Sequence, residues 1–321
     1  MSKKAISYTE EAVSPALAKE WLATQKVNRP LRESRLLKYA RDMEAGRWLK
    51  SAQTIKFNEN GELIDGQHRL HAVELARKTV NLEVARNVPA ESMAIIDEGA
   101  PRTSTDVLSF SGATYRAERT VALSTIWRIL TGKAFENKRD SLSRQELLGL
   151  NEDIGDEIGH LLSWIQVESR KKTNNKNYIS WGVLAAITFL GRRAGTVKKA
   201  DNFLADALHW HEQTQGSPLV AAQARFMRNF ASKSGRLDRR EKVALIIRAW
   251  NAYAKGETRG KLEAYRTVGG ELSWPVMIGL NIEKVAPEVS GIFRHYKSDE
   301  TMKAIAVEAQ KKAGRSRRGG K

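Results

Sequence analysis

Apolar positions recur with a helical period at Leu36, Leu37, Ala40 and Met43, and the stripe stops at Gly46; this predicts a helix from about Arg35 to Ala45. Thr54-Ile55-Lys56-Phe57 then reads as a strand, Asn58-Glu59-Asn60-Gly61 as a tight turn, and Glu62-Leu63-Ile64-Asp65 as the hairpin partner. A helix follows from about His68 to Lys78, with Leu70, Val73, Leu75 and Ala76 on its buried side. Val80 to Ala85 reads as a further strand, and Pro89 to Asp97 as a short helix opened by proline. Upstream, residues 1–29 are polar and weakly patterned, with one helix around Ala16 to Ala23. Short mixed strands and helices of this kind predict one α+β domain.

After Thr103 the pattern turns helical throughout. One stripe runs through Ala122, Ile126, Ile129 and Leu130 and ends at Gly132; Ser143 and Glu146 have the spacing of a capping box before Ile154, Ile158, Leu161, Leu162 and Ile165. The longest apolar run, Tyr178 to Leu190, is broken by Ser180 and Gly182 and predicts a buried helix rather than a membrane span. Ser217-Pro218 opens a helix with Leu219, Ala222, Phe226 and Phe230 inward. Asp238 and Glu241 cap another, striped by Val243, Ile246, Ile247, Trp250 and Tyr253 and stopped by Gly256. The expected fold class is therefore α+β: a small α/β domain over residues 1–108, an all-helical domain over 109–310, and a disordered basic tail over 311–321. Trp127, Trp164, Trp181, Trp210 and Trp250 fall mostly on helical stripes, which makes core packing their expected role.

Charge adds what patterning cannot. Among 321 residues, 54 are Lys or Arg against 37 Asp or Glu, a formal net charge of +17. An excess of that size favours a polyanionic partner through counterion release and long-range steering, and nucleic acid is the expected one. Cationic residues are dense from Arg225 to Lys261, where Arg239, Arg240, Lys242 and Arg248 are the chief candidates for DNA contact. In the tail the candidates are Arg315, Arg317 and Arg318. A merely solvated helix face remains the alternative. There is no cysteine, so disulfides, thiolate metal sites and cysteine nucleophiles are excluded. No secretory signal is visible at the N-terminus, and the expected location is the cytoplasm, that of a bacterial host if the source is a phage.

Asp65-Gly66-Gln67-His68-Arg69 carries the most specific chemistry. A strand ends, a glycine allows close backbone approach, and a helix begins at once, so N–H groups and the helix dipole favour an anion. His68 and Arg69 add donors, and a guanidinium can hold two phosphate oxygens. Asp65, His68 and His71 are types that ligate metal, but anion binding accounts for them and no metal site is assigned. Between Asp97 and Thr103, a loop rich in Gly, Pro and charge offers Arg102 as a further phosphate contact, with a plain interdomain turn as the alternative.

The run Asp65-Gly66-Gln67-His68-Arg69-Leu70-His71-Ala72, with the helix and hairpin before it, resembles the ParB/sulfiredoxin superfamily over roughly residues 28–108. In that superfamily a Gly-x-His-Arg turn binds nucleotide phosphates, CTP in partition proteins and ATP in sulfiredoxin. The resemblance therefore implies a nucleotide, CTP or ATP, with or without Mg2+, at Gly66, Gln67, His68 and Arg69. Sulfiredoxin chemistry needs a cysteine beside the turn and is excluded here. Partition proteins follow the turn with a helix-turn-helix, and no basic recognition helix is legible at that distance. Residues Arg240 to Asn251 are similar to the helical region of ParB-like proteins from bacteriophages and prophages. The implied function is a nucleotide-responsive DNA-binding protein of phage or mobile-element origin. The alternative is an enzyme of the same fold, a nuclease or a phosphotransferase/NTPase, with Glu33 or Asp65 as its catalytic carboxylate. Expected partners are DNA and a nucleotide, with a homodimer left open and no membrane.

Overall fold

A computed structural model describes residues 5–25, 31–51, 53–89, 103–109, 112–135, 141–171, 178–231, 237–268 and 271–295. The chain divides into two compact units, one of residues 1–101, 138–145 and 295–321, the other of residues 102–137 and 146–294.

The first unit is α+β. Its strands β1 (Ser7–Val13), β2 (Ile55–Asn58), β3 (Leu63–Asp65) and β4 (Val80–Val88) form one sheet in the order β1-β4-β2-β3. β1 runs antiparallel to β4 from Ser7 opposite Arg86 to Val13 opposite Val80, and β2 runs parallel to β4 with an irregularity between Lys56 and Asn58. Helices α1 (Pro15–Ala23), α2 (Glu33–Glu44) and α3 (Gln67–Ala76) accompany this sheet. Pro15 opens α1, with the Ser14 hydroxyl accepting from the Leu17 N–H at 3.1 Å. Trp21, Leu36, Leu37, Ile55, Phe57, Leu70, Val73 and Val84 share one core, in which Trp21 meets Phe57 edge-on at 5.1 Å. Residues 138–145 belong to the same unit: the Ser143 hydroxyl donates to Asp42 at 2.7 Å, and Arg41 donates to the Ser141 carbonyl at 2.8 Å.

β1 is not legible in the chain. Most of its side chains are exposed and polar, so it carries no alternation of apolar residues, and pairing along β4 makes it a strand. The expected helix from Pro89 to Asp97 lies outside the described residues beyond Pro89.

The second unit contains α4 (Ser104–Ser109), α5 (Arg116–Leu130), most of α6 (Arg144–Arg170), α7 (Trp181–Arg193), α8 (Val197–Leu208), α9 (Pro218–Ala231), α10 (Arg239–Lys255) and α11 (Ile282–Val289). α7 is buried without a break from Gly182 to Gly191, as its apolar run predicts, and packs against α5, α8 and α10. Close helix approach rests on small residues here: a Cβ at Gly191 would lie 2.8 Å from the Trp250 ring. Along α6, Asn151, Gly155 and Gly159 form a notch for Arg119 of α5, whose Nη1 donates to Asn151 Oδ1 at 3.0 Å. A Cβ at Gly159 would come within 2.5 Å of Arg119 Nη2. Burial depresses the Arg119 pKa, and Asp156 partly offsets it.

The expectation of an all-helical second half is corrected by a hairpin, β5 (Arg266–Val268) paired with β6 (Glu271–Ser273). Three residues per strand are too few to establish a twofold pattern, so the sequence does not announce them. Trp127 and Trp250 are in the core as expected, whereas Trp164 is 39% exposed. Among the described residues no helix is long and apolar enough to cross a membrane.

Candidate phosphate turn and nucleic-acid interface

Gly66 links β3 to α3 with φ 110°, a backbone angle that L side chains avoid. A Cβ there would stand 2.5 Å from Ile55 Cδ1 and 3.3 Å from Ile55 Cα, so the turn lies directly on β2. The strand–glycine–helix geometry expected from the sequence is present.

The side chains of the turn face the protein. Gln67, His68 and Arg69 are 4%, 9% and 7% exposed. The Arg69 guanidinium donates to the Gln53 carbonyl, to the Thr54 carbonyl at 3.1 Å, and to Asp65 Oδ2 at 3.2 Å. It therefore ties the first turn of α3 to the segment entering β2. Asp65 is also paired with Lys56 at 3.5 Å. His68 Nε2 accepts from the Arg32 N–H at 2.9 Å, which puts the ring proton on Nδ1 and fixes the start of α2 beside the turn. Glu33 follows immediately in the first turn of α2, where the helix dipole favours a carboxylate. Gln67 Oε1 accepts from Gln25 Nε2 at 3.4 Å. His71 pairs with Glu74 at 3.2 Å. The structure thus gathers Asp65, Gly66, Gln67, His68 and Arg69 at one turn, and Glu33 follows Arg32, whose N–H bonds His68 there. Arg102 lies outside the described residues.

In the second unit the expected DNA-contacting residues of α10 divide. Asp238 and Glu241 form a capping box, with the Asp238 carboxylate accepting from the Glu241 N–H at 2.9 Å and Glu241 Oε2 accepting from the Asp238 N–H at 2.7 Å. Burial would raise the Asp238 carboxyl, but the Glu241 N–H and the Arg240 guanidinium outweigh it and hold it below its ordinary value. Arg240 reaches Asp238 Oδ2 at 2.8 Å and the Phe135 carbonyl at 3.4 Å, and lies over the Trp274 ring at 5.5 Å. Arg239 is exposed, yet partial desolvation and the nearby Arg128 hold it down to about 10. Arg248 donates at 3.4 Å to the carbonyls of Ala264 and Ser273, binding the hairpin to α10; burial and then Arg266 lower its pKa. Lys242 is half-buried on α10. Arg315, Arg317 and Arg318, and from the wider basic stretch Lys233 and Arg236, lie outside the described residues.

Two aromatic residues in this neighbourhood are not singled out by the sequence pattern. Trp274 stacks on Phe135 at 4.8 Å with the rings 7° apart, and Tyr265 tilts against it at 5.2 Å. The hairpin brings both together, and the Gly269-Gly270 pair between them in the chain is the available turn signal. Comparison of the chain with protein-family models, with curated proteins and with solved structures found no match.

Proposed function

We propose that this is a nucleotide-responsive DNA-binding protein, its second unit gripping the phosphate backbone through α10 and its first holding a phosphate at the Gly66–Arg69 turn. The observation that carries the DNA half is the crowding of like charges. Burial is the chief cause that lowers Arg239 and Arg248, and like charge adds to it: Arg128 and Arg240 press on Arg239 against the opposing pull of Asp238, and Arg266 presses on Arg248. Asp238 already pairs with Arg240 at 2.8 Å, and a phosphate backbone supplies further anions at regular spacing to a cationic surface of this kind. The Glu263 carboxyl is held low by Lys261 and further by Arg225 and Arg228, so the same field extends to α9.

The nucleotide half rests on the resemblance of the turn to ParB-like proteins and on its left-handed glycine at a helix start. Because Arg69 and His68 are turned inward, a phosphate bound there meets the backbone N–H groups at the start of α3 first, and those side chains hold the turn in shape.

Anisotropy of a labelled DNA duplex, titrated from low to high salt, tests the DNA half. Wild-type protein should bind at low salt, and Arg239→Gln, Arg240→Gln and Lys242→Gln together should weaken binding and flatten the log–log salt slope by about 0.9 per lost phosphate contact. Absence of wild-type binding at low salt to both this duplex and a single strand would overturn it. A melting-temperature rise with CTP or ATP, with and without Mg2+, tests the nucleotide half, because a ligand of the native state stabilises by mass action.

A further inference from the structure

We infer that Tyr265 and Trp274, with the guanidinium groups around them, form a stacking platform for the unpaired bases of single-stranded DNA. This rests on the DNA-binding reading and narrows its ligand. Trp274 is anchored on Phe135 at 4.8 Å, and Arg240 lies 5.5 Å from its ring centre. Tyr265 leans on Trp274 at 5.2 Å and is 37% exposed, so the aromatic pair reaches solvent through Tyr265. Arg266 is the next residue in the chain, exposed, and close enough to Arg248 to repel it. Arg240 lies over Trp274, and the Arg248 guanidinium reaches the Ala264 and Ser273 carbonyls that precede the two rings in the chain, so cations sit beside the aromatic pair, the combination that holds bases by their faces and the backbone by its charge.

The choice of single strand over duplex follows from the rings. Bases in a duplex already stack on one another and present edges, not faces, to a protein, whereas an unpaired base offers a face to any exposed ring. An anchor for the hairpin needs Trp274 alone, since that ring stacks on Phe135; it does not need a second, exposed ring beside several cations. Tyr265 is therefore the residue on which the inference turns.

The test uses the full chain and two labelled probes, an oligothymidine of about 16 nucleotides and a duplex of the same length. Tyr265→Ala should weaken single-strand binding about five- to a hundredfold, the worth of one base stack, with an unchanged salt slope because no cation is removed. Duplex affinity should stay within about twofold, and Tyr265→Phe, which keeps the ring, should restore single-strand binding. If wild-type protein binds duplex and Tyr265→Ala leaves single-strand affinity unchanged, the platform is refuted while the DNA reading stands. If wild-type protein binds neither probe, the DNA reading itself fails. Equal loss on both probes would make Tyr265 a structural residue and overturn the inference. So would self-association that Tyr265→Ala abolishes without touching single-strand affinity, since the surface would then serve a second copy of the chain.

Discussion

Replacing Arg69 by alanine removes a guanidinium that is 7% exposed and holds the Thr54 carbonyl at 3.1 Å, Asp65 at 3.2 Å and the Gln53 carbonyl. The expected loss can be built from those partners. Gln53 is exposed, and water can take over its carbonyl. Thr54 is 9% exposed, so its carbonyl is left short of a donor, which costs about 1–3 kcal/mol. Asp65 loses one cation but keeps Lys56 at 3.5 Å and a side chain 19% exposed, so its penalty falls below the roughly 3–5 kcal/mol of a fully buried broken pair. Together these place the destabilisation of the first unit at about 3 kcal/mol, against under about 0.5 kcal/mol for an arginine facing solvent. Hydrogen exchange read by mass spectrometry on peptides covering residues 53–65 and 80–88 of the full chain resolves this unit from the other. Exchange there should accelerate roughly a hundredfold, since about 1.4 kcal/mol is a factor of ten. Arg69→Lys should recover less than half, because an ammonium cannot reproduce the planar fork. Acceleration below about fivefold, equivalent to about 1 kcal/mol, would refute the strut and return Arg69 to the ligand side of the turn.

Two further perturbations follow from the same geometry. Gly66→Ala should destabilise the first unit by about 2–4 kcal/mol, combining the disfavoured φ with a Cβ placed 2.5 Å from Ile55 Cδ1; Ile55→Val should relieve part of it, and additive losses in the double variant would contradict the clash. Asp238→Ala should cost about 1–2 kcal/mol of α10 stability at neutral pH, read by exchange of the helix amides. The folded Asp238 carboxyl titrates below its ordinary value of 3.8, so its contribution is present above that value and lost as pH falls through the lower folded one. Wild type and Asp238→Ala should therefore converge in stability in strong acid, and a gap that persists there would show that the capping charge is not its source.

Where an element buries a regular face, the chain announces it. The stripe from Leu36 to Met43, the hairpin around Gly61, the apolar run within α7 and the capping box of α10 each state their structure locally, because period and turn chemistry act over a few residues. Gly66 is legible for the same reason: a glycine between a strand and a helix marks a backbone angle other residues avoid. β1 is not, since its strand character comes from pairing along β4, far away in the chain, and the β5–β6 hairpin is not, since three residues per strand are too few to show a twofold pattern.

The direction of a charged side chain belongs to the second class. Residue order alone establishes that His68 and Arg69 follow the glycine of the turn and that cations crowd the stretch around α10. It does not say that Arg69 turns inward to the Gln53 and Thr54 carbonyls, or that Arg240 and Arg248 lie against Trp274 and the hairpin; packing sets those directions. The physical reason is that a guanidinium has several donors and a long stem, so beyond local carboxylates such as Asp65 and Asp238 it takes whichever acceptor or ring the fold brings within reach, and the carbonyls of Thr54 and Ser273 lie 15 and 25 residues away in the chain.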